Sequence, residues 1–276
     1  MQANRKIKDS VFTALFNNPE KALELYSALG GVTLPPDTPV LMTTLENVLT
    51  MGKINDVSFE VNGKLIILVE HQSTIGANLS LRFLLYVAKL LERKYQSTAL
   101  YGRKPVSIPF PEFYVLYNGT APFPDKVTYK LSDLYENPQG LSKEEKPLLE
   151  LIVKAFNINE GKNPEIVNRS QNLSGYSQFI GKYYEFLKET GEPEKAIKLA
   201  VEYCQKHGIL KEFLEKHTGE VVDMILEEWN LEDAIAYARE EGREEGREEA
   251  DEKWKPIFAE QAAKIAQLEA QLQDKS

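Results

Sequence analysis

Cysteine is the scarcest chemistry in this sequence. Cys204 is the only one in 276 residues, which excludes an internal disulfide and any cysteine-based zinc site. It sits among helical neighbours and reads as a small buried hydrophobe. Histidine numbers three. His207 and His217, ten apart in a helical stretch, read as surface residues rather than a metal pair. Long apolar runs are missing as well. The longest aliphatic run is Leu65-Ile66-Ile67-Leu68-Val69, far short of the roughly 20 residues of a bilayer-spanning helix, so no membrane partner is expected. Met1 to Asp9 is polar and basic with no apolar segment behind it. That pattern lacks a secretory signal, and a cytoplasmic address is the expectation.

What is present is ordinary globular material, 42% hydrophobic and 27% charged. It excludes a wholly disordered chain and allows one large domain or two smaller ones. The net charge of −9, taken whole, argues against a nucleic-acid partner. Its distribution does not. Residues 218–276 carry 17 acidic and 7 basic side chains, which leaves the preceding body at +1, so a local basic patch remains open to phosphate.

Apolar spacing predicts a helix over Lys6–Phe16 and a second from Pro19 to Leu29, with Asn17-Asn18-Pro19 between them. Gly30-Gly31 and Pro35-Pro36 mark an irregular link. Val57, Phe59 and Val61 alternate with polar residues, Leu65–Val69 is a buried-strand run, and Asn62-Gly63 between them signals a hairpin. Helical periodicity returns over Asn78–Gln96, and Phe113–Tyr117 reads as a buried strand ending at Asn118-Gly119. Residues Leu148–Ile158 fit either strand or helix, and Pro164 to about Tyr237 reads as successive helices. The order gives an α/β mixed-sheet core over residues 1–160, a helical region over 161–237 and an acidic helical tail over 238–276. The tail carries an Arg-Glu-Glu-Gly repeat from Arg239 and a short heptad seam, Phe258, Ile265, Leu268 and Leu272. A solvated helical extension and weak self-association through that seam both fit.

The chemically informative stretch runs from Asn55 to Gln72. Asp56 begins one strand and Glu70 ends the next, where a sheet meets solvent on a rigid frame. Glu70 and Gln72 share a face and His71 points away. Two carboxylates from neighbouring strands, with the backbone carbonyl of His71, make a hard oxygen site suited to Mg²⁺ or Mn²⁺. The plainer reading is a pair of strand-end acids facing water, with the His71 ring packed on the far face.

This arrangement resembles the PD-(D/E)XK nuclease superfamily and, within it, the recombination-promoting nuclease/transposase (Rpn-type) family. The likeness runs through Lys8-Asp9-Ser10-Val11-Phe12, Asp56-Val57 with Glu70-His71-Gln72, Arg82 with Tyr86, Tyr117-Asn118-Gly119, the Asn157-Ile158-Asn159 to Gly161-Lys162-Asn163 stretch, and the Arg-Glu-Glu-Gly tail. It implies a restriction-endonuclease-like core and metal-dependent hydrolysis of DNA phosphodiesters, linked to recombination or mobile elements, and acting as a homodimer or larger assembly. Asp56 and Glu70 would hold the cation with help from the His71 carbonyl, and Asp9 would add a further acid. Arg82 and Tyr86 would face the nucleic acid. The superfamily's usual lysine is Gln72 here, which orients a water but carries no charge. Lys64 shares that strand face but lies about 20 Å from Glu70 at strand rise, and Lys89 on the following helix is the other basic candidate. Three readings therefore stand: a Mg²⁺- or Mn²⁺-dependent DNA endonuclease, a nuclease acting on RNA, and a catalytically inactive DNA-binding or assembly module. The structural alternatives are a helix-dipole role for Asp9, an exposed charge for Arg82 and a core ring for Tyr86.

The metal reading requires a particular hairpin register. A two-residue Asn62-Gly63 loop pairs Val61 with Lys64 and sets Asp56 opposite Val69, away from the face of Glu70. A three-residue loop pairs Glu60 with Lys64 and sets Asp56 opposite Leu68, on the face of Glu70. It also gathers Val57, Phe59, Leu65, Ile67 and Val69 on the other face. A one-residue bulge would serve equally to bring the two acids to one face. The odd offset is the expectation.

Overall fold

In the computed structural model, residues 10–43, 56–71, 76–95, 100–136, 147–226 and Trp254 are described. One six-stranded mixed sheet organises them, in the order β1-β2-β3-β4-β6-β5. The strands are β1 Val40–Met42, β2 Asp56–Val61, β3 Lys64–His71, β4 Phe110–Tyr117, β5 Lys126–Lys130 and β6 Ile152–Asn157. β3, β4 and β6 run parallel at the centre, while β1, β2 and β5 are antiparallel additions.

Local chemistry starts and stops the helices. The Ser10 Oγ accepts from the Thr13 N–H at 3.1 Å and so opens α1, Val11–Phe16. The Asn18 side chain caps α2, Pro19–Gly30, and Gly31 ends it in the left-handed region at φ 65°. Helix α3, Leu79–Lys94, connects the parallel strands β3 and β4 and covers one face of the sheet. The chain then forms α4 Pro164–Val167, α5 Gln171–Thr190, α6 Pro193–Lys206 and α7 over residues 211–226.

Two apolar layers flank the sheet. On the α3 side, Leu65, Ile67, Phe113, Val115 and Val153 pack with Phe83, Tyr86 and Leu90. On the other side, Val57, Phe59, Ile66, Leu68 and Leu116 pack with Phe12 and Phe16 of α1, Leu25 of α2, and Tyr176, Phe179 and Ile197 from the later helices. The helices after residue 163 thus build the second layer of the core, and Met1–Leu226 is one compact unit with Glu227–Ser276 a second. The expected tail helix and heptad seam lie outside the described residues. Among the described residues no helix is long and apolar enough to cross a membrane.

Two strands differ in clarity. Leu148–Ile158, open between strand and helix on sequence, contains β6. β5 was not expected, although Lys126–Lys130 alternates exposed and half-buried residues. It forms one rim of the sheet, with Lys126 and Lys130 at its ends, and the three-residue β1 forms the other.

The hairpin corrects the expected offset. Val61 pairs with Lys64, Glu60 with Leu65 and Asp56 with Val69. Asn62 and Gly63 both take positive φ, 48° and 74°, as the favoured two-residue turn requires. The expected grouping of faces fails with it. Val57, Phe59 and Val61 share a layer with Ile66 and Leu68, not with Leu65 and Ile67. Glu60 instead ion-pairs with Lys94 of α3, and Lys64 turns to the α2 side, onto Tyr26 and Glu112. The reason is that β3 is apolar on both faces, so a slip there exposes nothing. The turn chemistry and the alternation of β2 set the register.

Candidate functional site

Of the residues expected to form the site, Asp9 and Gln72 lie outside the described residues. Asp56, Glu70 and His71 are placed by backbone register. Position 56 stands opposite Val69 and so belongs to the α3 side of the sheet. Position 70 pairs with Leu116 of β4, whose side chain packs in the α1–α2 layer. A strand's two faces alternate residue by residue, so the sheet separates positions 56 and 70. The register therefore does not fit one cation held jointly by Asp56 and Glu70. His71 closes β3 opposite Tyr117.

The candidate nucleic-acid residues lie on α3, on the Asp56 side. Arg82 is half-buried. Tyr86 is buried in the α3 layer, and its hydroxyl lies 3.5 Å from the Ser58 Oγ, which also receives a 3.1 Å bond from Thr43. Ser58 is fully buried on β2, so the pair ties α3 to the sheet. Positions 56, 82 and 86 thus share one side, and position 70 lies on the other. Among the described residues no three His, Cys, Asp or Glu side chains converge on a common point.

The carboxyl ends of β4 and β6 carry a feature that motif reading passed over. Asparagine side chains bind the loops after these strands to one another. Asn157 donates to the Phe123 carbonyl at 3.0 Å and accepts from the Asn159 N–H at 3.1 Å. Asn159 donates to the Gly119 carbonyl at 2.9 Å. Asn163 donates to the carbonyls of Asp125 and Asn157 at 2.7 and 2.8 Å. The Ile158 N–H bonds the Tyr117 carbonyl at 2.8 Å. Tyr117 packs on Phe123 with ring centroids 4.4 Å apart and donates to the Ala121 carbonyl. The frame fixes the backbone on both sides of Asn118. Asn118 itself is 1% exposed, and among the described residues neither its Oδ1 nor its Nδ2 has a hydrogen-bond partner. A buried carboxamide with both ends unengaged is rare and calls for an explanation. Tyr117-Asn118-Gly119 and Asn157-Ile158-Asn159 were visible as motifs. Nothing in the sequence said that three of these amides would be engaged and one left over.

The opposite end of the parallel strands holds a satisfied network. The Lys64 ammonium bonds Glu112 at 2.6 Å and the Tyr26 hydroxyl at 2.9 Å, and Tyr114 donates to Glu112 at 2.7 Å. Burial pushes the Glu112 carboxyl up, but the Lys64 and Tyr114 bonds prevail and hold it below the usual range. Bonding to Glu112 raises the Lys64 ammonium above its ordinary value. Every partner is engaged, so this end is structural, and Lys64 is committed far from Glu70.

No protein-family model, curated protein or solved structure matches this chain.

Proposed function

We propose that the chain is a divalent-cation-dependent hydrolase of DNA phosphodiesters, with a restriction-endonuclease-like core acting at the carboxyl end of β3. The observation that carries this reading is the buried, unengaged Asn118, which follows β4 two residues beyond Leu116, the ladder partner of position 70. Open α/β sheets bind ligands at that end. Glu70 and the His71 carbonyl would hold Mg²⁺ or Mn²⁺, and Asp9 from the segment before α1 would add a charge. The cation, when bound, would polarise the phosphate and ease attack by water at neutral pH. Gln72, two residues beyond Glu70, would orient the attacking water through its amide. Arg82 lies across the sheet from position 70 but in the first turn of α3, which follows the end of β3, and from there it would give the nucleic-acid backbone a cation. Asp56 is not counted among the ligands. A dimer would offer two such ends to the two strands of a duplex.

Two observations favour a second reading. The even hairpin register leaves Glu70 without a carboxylate from β2 on its own side, and Gln72 replaces the expected lysine. Both suit a nuclease-fold module that binds DNA or assembles without cutting. Supercoiled plasmid incubated with the full chain and Mg²⁺ or Mn²⁺ separates the two. Nicking that is lost in Glu70→Gln supports the hydrolase. Retarded but uncut plasmid, unchanged by that substitution, supports the module.

A further inference from the structure

We infer that Asn118, not Asp56, completes the cation site with Glu70. The inference rests on the hydrolase reading for its setting, but its observations are its own. Glu70 pairs with Leu116 across the parallel β3–β4 ladder. β4 ends at Tyr117, and continuing its alternation by one residue assigns the residue two beyond Leu116 to the same side of the sheet. That residue is Asn118. Strand spacing and rise put the two Cα atoms about 8 Å apart, a separation that a glutamate and an asparagine span to meet one ion. Asp56 has the sheet between it and Glu70.

The chemistry of the amide agrees. A carboxamide oxygen is a hard ligand of the kind that Mg²⁺ and Mn²⁺ accept. The same group's N–H donors suit an anionic oxygen of a phosphate beside the ion. Asn118 has both ends unengaged inside the protein, so bulk solvent does not satisfy them. The neighbouring Asn157, Asn159 and Asn163 amides are committed to backbone carbonyls, and the residues flanking Asn118 are held through the Gly119 carbonyl by Asn159 and the Tyr117 carbonyl by the Ile158 N–H. A buried amide with unused donor and acceptor capacity, between flanks held by hydrogen bonds, suits a preorganised ligand.

The test is titration of the chelator-stripped full chain with Mn²⁺ alone, read by calorimetry and by the rise in unfolding temperature. Wild type is expected to bind. Asn118→Ala should weaken Mn²⁺ at least tenfold, Asn118→Asp should tighten it by adding charge, Glu70→Gln should abolish it, and Asp56→Asn should leave it unchanged. Asn118→Asp is nearly isosteric and carries the test if the alanine variant does not fold. Wild-type affinity in both Asn118 variants would overturn the inference, as would loss of binding in Asp56→Asn or no Mn²⁺ uptake by wild type. Failure here differs from failure of the hydrolase reading. Glu70-dependent nicking with Mn²⁺ affinity indifferent to Asn118 leaves the enzyme and removes this ligand. Asn118-dependent uptake without nicking leaves the cation site and removes the enzyme.

Discussion

Replacing Asn118 by leucine in the metal-free protein should stabilise it, although the residue is buried among ordered neighbours. A buried amide with no partner costs about 1–3 kcal/mol in desolvation. Leucine has the same number of side-chain heavy atoms, needs no partner, and would follow a strand whose Leu116 is buried in the apolar layer with Ile158. For a folded unit of this size, about 1 kcal/mol moves the unfolding midpoint by roughly 2–4 °C, so Asn118→Leu should raise Tm by about 2–12 °C in chelator. The control lies at the same carboxyl end of the sheet. Asn157 makes two side-chain bonds, to the Phe123 carbonyl and from the Asn159 N–H. Asn157→Leu removes both and strands their partners, and should lower Tm by a similar amount. The assay is differential scanning calorimetry of the full chain in EDTA, with urea denaturation as a second measure. The signs should be opposite for chemically identical substitutions. If Asn118→Leu destabilises as Asn157→Leu does, the Asn118 amide is engaged in solution, and the argument for an awaiting ligand loses its base.

Two further outcomes follow from the geometry. A Cβ at Gly63 would meet nothing within 4 Å, but φ is +74° there, so Gly63→Ala should cost about 1–2 kcal/mol from backbone strain alone, read as a lower urea midpoint. Glu112 has its folded pKa lowered, so its contribution to stability is present above the unfolded value near 4.3 and is lost as pH falls through the lower folded value. Wild type should therefore lose more stability than Glu112→Gln between pH 5 and 3, and parallel acid titrations of the two would refute this by running together.

Several elements could be read from the residues because their signals are local. Asn18-Pro19 opens α2 as a cap and first-turn proline, and Asn62-Gly63 turns the hairpin. Register could not be read in the same way. Leu65–Val69 is apolar at every position because helices cover both faces of the sheet, so β3 fits either side. The expected odd offset came from asking that Asp56 and Glu70 meet. The turn's left-handed pair and the alternation of Val57, Phe59 and Val61 decided otherwise. β5 carries only a faint two-residue period, Val127 and Tyr129 between polar neighbours. Asn118 was legible as a strand end. Its unengaged amide depends on where Asn157, Asn159 and Asn163 point, some 40 residues later, and no local pattern encodes that.

The two outermost strands have a consequence for assembly. A sheet with a long, bare margin invites another chain to continue its ladder. Here one margin is three residues long, and the other is bracketed by Lys126 and Lys130, with Lys126 tethered to Glu165 at 2.7 Å. Short or lysine-guarded margins discourage such annexation. Copies of this unit should thus resist ribbon-like stacking, and whatever docks on it is steered to the helical flanks or to the strand termini.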